Sequence, residues 1–122
     1  MNWLAVALGG ALGACMRYGL MRALPPLGGY PWAIQLANVA GSFLIGVLFV
    51  QVAMRWGNDH VAWQLLGVGL LGGFATYSTF SMDTVRLLEQ GRWNLALVYV
   101  LSTLALCIGM AAMGVLLGRR LM

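Results

Sequence analysis

Four long apolar runs, separated by short polar connectors, dominate this sequence. Each run has the ~20 residues that a helix needs to cross a hydrocarbon core about 30 Å thick. Only 8% of the 122 residues are charged, against roughly 25% in soluble domains, and so few charges cannot cover a water-facing surface. The sequence therefore predicts an all-α integral membrane protein, residues 1–122 forming a single four-helix transmembrane domain. The predicted spans cover about residues 2–24, 32–54, 61–88 and 93–118.

The charged and metal-binding residue types exclude several classes of function. All seven basic residues are arginines, and the formal net charge is +4. They are scattered near helix ends and form no continuous stripe, which argues against nucleic-acid binding and fits anchoring at lipid headgroups. Cys15 and Cys107 lie inside apolar runs, and His60 is the only histidine. No spacing typical of a zinc or redox site is present, and two small apolar thiols are the simpler interpretation.

The arginines also bear on membrane orientation. Four spans place the N-terminus, the second connector and the C-terminus on one side of the membrane, with three arginines there and four on the other side. This difference is too small to fix one orientation by the positive-inside rule. We therefore expect dual topology and an antiparallel homodimer, which also supplies enough helices to enclose a polar path. The two groups are Arg55, Arg119 and Arg120, and Arg17, Arg22, Arg86 and Arg92.

The third run combines a glycine pair with a cluster of hydroxyl groups. Gly72 and Gly73 are expected near mid-membrane, where each costs a helix about 1 kcal/mol relative to alanine. A helix broken near mid-membrane at this pair frees carbonyls that bind a cation, and a packing groove between helices is the alternative. Hydroxyl clusters suit a small dehydrated anion, although single hydroxyls usually bond back to their own helix. The cluster consists of Thr76, Tyr77, Ser78, Thr79 and Ser81.

Tyr77 and three further side chains are candidates for an anion path, each with a structural alternative. Tyr77 and Phe80 share a helix face, and aromatic ring edges carry the partial positive charge that attracts an anion; core packing is the alternative. Asn38 offers two amide donors to a pore or to a neighbouring helix. Arg17 lies about one turn inside the first span, where it snorkels to the interface or draws anions into a vestibule.

Three segments resemble motifs of the CrcB/Fluc fluoride channels, and together the resemblance covers essentially the whole chain. Residues 9–18, GGALGACMRY, are similar to the family motif GGxxGAxxRY. Residues 38–46, NVAGSFLIG, are similar to NxxGSFxxG, and residues 72–81, GGFATYSTFS, to GGxTTFSTFS. The three occur in the family's order, and the chain has its length and span count.

The resemblance implies a dual-topology antiparallel dimer in the bacterial inner membrane, with two fluoride pores. It further implies a structural sodium ion at the dimer interface, held by the backbone carbonyls of Gly72 and Gly73 from both subunits, and a vestibule arginine at Arg17. Tyr77 and Asp83 depart from the family, which usually has phenylalanine and glutamate there. The implied pore residues are Asn38, Tyr77, Phe80, Ser81 and Tyr99.

Other membrane functions remain as alternatives. Fluoride enters cells as neutral hydrofluoric acid and ionises in the cytoplasm, so a passive anion pore lets it leave. A small dual-topology proton-coupled multidrug exporter needs a carboxylate inside the membrane, whereas Asp59, Asp83 and Glu89 lie at or near span ends. A membrane assembly subunit without transport activity explains the glycines but not the hydroxyl cluster. No nucleophile–base pair is present that would suit an enzyme.

Overall fold

Four long helices form the fold in a computed structural model that describes residues 2–122. Each helix is long and apolar enough to cross a membrane, which confirms the predicted number of spans. A tight turn with paired Leu27 and Tyr30 backbones joins the first two helices, and the connectors carry glycines with positive φ. The helices are α1 (Trp3–Ala23), α2 (Trp32–Trp56), α3 (Trp63–Glu89) and α4 (Trp93–Arg120).

The helices pack mainly in two pairs, α1 with the first part of α3 and α2 with α4. Glycine allows the backbones of each pair to touch. A side chain at Gly13 would collide with the Leu70 carbonyl of α3, and one at Gly114 with the Phe43 carbonyl of α2. Because lipid gives no hydrophobic drive to helix association, such close van der Waals contact is a main source of stability in a membrane.

Two segments have π-helical hydrogen bonding. They are Phe49–Ala53 within α2 and Trp63–Leu71 at the start of α3. The rings of Phe49 and Trp63 meet edge to face across the connector, 6.1 Å between centroids. The sequence did not predict these segments, because a uniformly apolar run does not distinguish bonding to the fourth residue from bonding to the fifth.

The middle of α3 contains two residues with extended backbone. Ala75 has φ −90° and ψ 141°, and Thr76 has φ −144° and ψ 126°. They separate the helical turn Gly72–Phe74 from the helix Tyr77–Glu89. We expected non-helical backbone at the glycine pair, and this placement was wrong, since the pair lies within that helical turn. The reason is a hydrogen-bond partner on α2, described below.

An aromatic core fills the space between α2, the second part of α3 and α4. Tyr30, Phe80 and Tyr99 are its largest members, and Ile34 and Leu87 complete the contacts. The Tyr99 ring packs edge-on against Tyr30 at 5.5 Å. In contrast, large apolar side chains along α1 and α4 are exposed, which suits a lipid environment or another protein chain.

Candidate functional site

A cavity of about 250 Å³ lies between α2, α3 and α4, beside the extended residues of α3. Its wall combines hydrogen-bonding groups with aromatic and aliphatic side chains, and no charged residue of the described chain lines it. Polar groups in an otherwise apolar cavity are typical of sites that orient a small ligand. The polar and aromatic lining residues are Asn38, Ser42, Thr76, Tyr77, Phe80 and Thr103.

Asn38 of α2 pairs with the Thr76 peptide of α3. Its Oδ1 accepts a hydrogen bond from the Thr76 N–H at 2.8 Å, and its Nδ2 donates to the Thr76 carbonyl at 3.2 Å. In a continuous helix the Thr76 N–H would donate to the Gly72 carbonyl. The buried Asn38 side chain thus satisfies a peptide that has left the helix, which is costly without a partner.

The helix that resumes at Tyr77 begins at the cavity. The Thr76 hydroxyl caps it by accepting from the Thr79 N–H at 3.4 Å, and the hydroxyls of Thr76 and Ser78 are 3.1 Å apart. The first N–H groups of a helix and its dipole both favour negative charge at that end. Since Thr76 and Tyr77 line the cavity, this end of the cavity favours an anion.

Two aromatic rings form one wall of the cavity. The Tyr77 and Phe80 rings lie 5.6 Å apart at a tilt of 49°. Phe80 is buried, while the Tyr77 side chain is exposed. The Tyr99 ring lies behind Phe80, with 5.1 Å between centroids, and its hydroxyl donates to Asp83 Oδ2 at 3.3 Å. The rings therefore stack in the order Tyr77, Phe80, Tyr99.

The structure brings three of the five predicted pore residues to this cavity, namely Asn38, Tyr77 and Phe80. Tyr99 is fully buried behind Phe80. Ser81 donates to the Tyr77 carbonyl at 3.0 Å. Neither of these two side chains is among the groups that line the cavity. Their roles in a pore stay predictions.

Arg17, the predicted vestibule residue, ties α1 to α3. Its Nε donates to the Gly73 carbonyl at 3.2 Å, and the side chain is half-buried. Gly72 lines a second cavity of about 230 Å³, which Gly41 also lines. Ser42 contributes to the walls of both cavities. Gly72 therefore lines a cavity that shares Ser42 with the anion-favouring cavity.

The two glycine carbonyls differ in how well they fit the sodium ion that the resemblance implies. The Gly72 carbonyl is free of its usual helical donor, because the Thr76 N–H bonds to Asn38. A carbonyl oxygen of this kind is a suitable ligand for a hard cation. The Gly73 carbonyl accepts from Arg17, and this positive charge opposes a second cation nearby. In this arrangement Gly72 fits sodium and Gly73 does not.

Four residues of α4 line the cavity, and sequence reasoning gave none of them a pore role. Two of the four have hydrogen-bonding groups, Thr103 and Cys107. Thr103 is buried, with only 4% of its surface exposed. Both residues follow Tyr99 at intervals of four, which places all three on one face of α4. This spacing is the signal by which the sequence could have identified them.

Comparison with known proteins gives a consistent result. Residues 4–115 match the family described as CrcB-like protein, Camphor Resistance (CrcB). The chain is 42% identical over 116 residues to the fluoride-specific ion channel FluC of Magnetococcus marinus, covering 93% of this chain and 94% of that protein. It is 40% identical over 124 residues to FluC of Coxiella burnetii, covering 99% and 100%. It is 44% identical over 116 residues to FluC 2 of Nocardia farcinica, covering 94% and 80%.

Proposed function

The chain belongs to the CrcB family, and on that premise we propose that it is a passive, fluoride-selective ion channel that exports cytoplasmic fluoride. It is a multi-pass bacterial membrane protein, and we assign it to the inner membrane. A channel conducts its ion without chemical conversion, so the protein is a transporter and not an enzyme. One observation carries the proposal: the cavity at the start of the helix Tyr77–Glu89, whose mostly apolar wall carries hydrogen-bonding groups and, within residues 2–122, no charged residue.

The chemistry of this cavity suits fluoride. A small, strongly hydrated anion needs hydrogen-bond donors to replace its water. Hydroxyl groups and the helix N-terminus provide donors here, and the edges of Tyr77 and Phe80 add weak positive potential. Conduction also requires that the ion leave readily. No arginine among residues 2–122 lines the cavity, so its wall attracts the anion without holding it tightly.

We assign pore roles to the predicted residues according to their positions. Asn38, Tyr77 and Phe80 contact the permeating ion, since all three line the cavity. Tyr99 supports the Phe80 ring from behind, and Ser81 continues the polar track one turn after Tyr77. Arg17 draws anions towards a vestibule, while its bond to Gly73 fixes α1 against α3.

The working unit in this proposal is a dual-topology antiparallel homodimer with two fluoride pores. The balanced arginines and the exposed apolar faces of α1 and α4 favour this assembly. In this proposal the extended residues Ala75 and Thr76 interrupt α3 near mid-membrane. A structural sodium ion lies at the dimer interface on carbonyls of the glycine pair. The Gly72 carbonyl supports this proposal because it lacks its helical donor, whereas the Gly73 carbonyl accepts from Arg17 in this arrangement.

The test is fluoride efflux from liposomes that contain the purified protein, followed with a fluoride electrode and with chloride as the control ion. We expect rapid fluoride release and little chloride release. Phe80→Ile should slow the fluoride flux and leave dimerisation intact, because it removes a ring edge and keeps an apolar side chain. Well-folded dimer that releases no fluoride would refute the channel function, and unchanged flux in Phe80→Ile would exclude that ring from the pore.

A further inference from the structure

A buried hydrogen-bond network joins α2 to α4 next to the cavity. The Gln35 amide nitrogen donates to Ser102 Oγ at 2.7 Å and to Thr103 Oγ1 at 3.2 Å. Ser102 Oγ lies 2.5 Å from the Val98 carbonyl, to which it donates. The Tyr30 hydroxyl is 3.3 Å from the same Ser102 oxygen. Gln35 is buried, with 8% of its surface exposed.

The hydroxyl groups of Ser102 and Thr103 differ in where their protons are donated. A primary amide has two N–H donors, and Gln35 uses one for each hydroxyl. The Ser102 proton goes to the Val98 carbonyl. Thr103 Oγ1 accepts from Gln35, and within residues 2–122 its own proton has no protein acceptor. Helical threonine commonly returns this proton to a carbonyl one turn back, so Thr103 is unusual.

The Thr103 hydroxyl is therefore a hydrogen-bond donor at the cavity wall that has no acceptor within residues 2–122. The side chain is 4% exposed, and the residue lines the cavity. A buried donor without a partner costs about 1–3 kcal/mol, so an acceptor within the cavity is favoured. Because the Gln35 N–H occupies one side of the Thr103 oxygen, the hydroxyl proton is directed away from Gln35.

We propose that Thr103 is the α4 hydrogen-bond donor to the permeating anion and that Gln35 is the positioning residue that makes it a donor. This inference rests on the proposed function and adds a residue pair to its pore. Gln35 does not contact the ion. It acts only through Thr103, by supplying the hydrogen bond that keeps the Thr103 proton free for the anion.

The test compares initial fluoride efflux from liposomes for five variants of the full chain. Thr103→Val removes the hydroxyl at nearly constant shape and should slow efflux about tenfold, whereas Thr103→Ser keeps the donor and should remain near wild type. Gln35→Met removes both amide donors at similar length and should also slow efflux. The double variant should be no slower than Thr103→Val alone, since Gln35 acts through that hydroxyl. Ser102→Ala is the matched control, because it removes a neighbouring network hydroxyl that does not line the cavity.

Gln35→Glu provides a further variant should Gln35→Met fail to fold. A carboxylate accepts the Thr103 proton and turns it out of the cavity, so efflux should again fall. Wild-type efflux in Thr103→Val or Gln35→Glu would overturn the inference, as would a double variant in which the two losses multiply. These outcomes require a conducting wild-type protein. A silent wild-type protein is a different result, and it would overturn the proposed function itself.

Discussion

Asn38→Leu is the most informative single substitution for the architecture of the cavity. Leucine has a similar volume and fits an apolar helix interface, but it has no polar atoms. The change removes the 2.8 Å bond accepted from the Thr76 N–H and the 3.2 Å bond donated to the Thr76 carbonyl. Each buried group left without a partner costs about 1–3 kcal/mol. The expected loss of stability is thus about 2–6 kcal/mol, a large part of the roughly 5–15 kcal/mol that a folded domain has.

A backbone rearrangement in α3 can reduce this loss of stability. Residues Ala75 and Thr76 can return to helical angles, so that the Thr76 N–H bonds to the Gly72 carbonyl again. That rearrangement removes the extended segment and the helix start at Tyr77, which together form one end of the cavity. Asn38→Leu should therefore abolish fluoride flux in either case, through unfolding or through closure of the cavity.

Two measurements report the effect of Asn38→Leu. One is the free energy of unfolding by denaturant in detergent, followed by tryptophan fluorescence. The other is the rate of hydrogen exchange at the Thr76 amide. Ser42→Ala is the matched control, one turn further along α2. Its hydroxyl donates to the Asn38 carbonyl within the same helix at 2.7 Å, so its loss should cost only about 1 kcal/mol. If Asn38→Leu unfolds like Ser42→Ala and keeps fluoride flux, the pairing with Thr76 does not support the cavity.

Three further substitutions test other contacts. Gly114→Val should destabilise the fold by several kcal/mol in the same unfolding assay, because its side chain collides with the α2 backbone; a loss below about 1 kcal/mol would contradict that contact. Tyr99→Phe removes only the hydroxyl bond to Asp83, so it should cost about 1 kcal/mol and keep the stack of rings; a larger loss would show that this hydroxyl has another partner. Arg17→Leu frees the Gly73 carbonyl and should lower the sodium concentration needed for full fluoride efflux, whereas an unchanged sodium dependence would separate this carbonyl from the sodium site.

Hydropathy predicted the helices well because a membrane imposes a single rule on the whole chain. Each backbone polar group must be satisfied within its span, so a long apolar run becomes a helix. The sequence also indicated which polar residues matter, because a polar side chain in an apolar span needs a hydrogen-bond partner. Asn38 was identified because an amide in an apolar span needs a partner, although the sequence left open whether that partner was a helix or an ion.

The position of the extended segment could not be predicted in the same way. Glycine only lowers the cost of leaving a helix, and it does not force the chain to leave. The hydrogen-bond partner determines where the chain leaves the helix, and Asn38 bonds to the Thr76 peptide, three residues beyond the glycine pair. The α4 side of the cavity was missed for a similar reason. Thr103 gains its significance from Gln35, a contact between residues 68 positions apart.

The most direct test of the central proposal is the reversal potential of the purified protein in a planar bilayer, with fluoride on both sides at unequal concentrations and chloride making up the difference. A passive fluoride-selective pore carries current that reverses where fluoride alone would be at equilibrium. The structure predicts this result because the cavity has donors for a small anion and none of the described residues in its wall is charged. A current that reverses near zero, or a flux that requires a proton gradient, would contradict it.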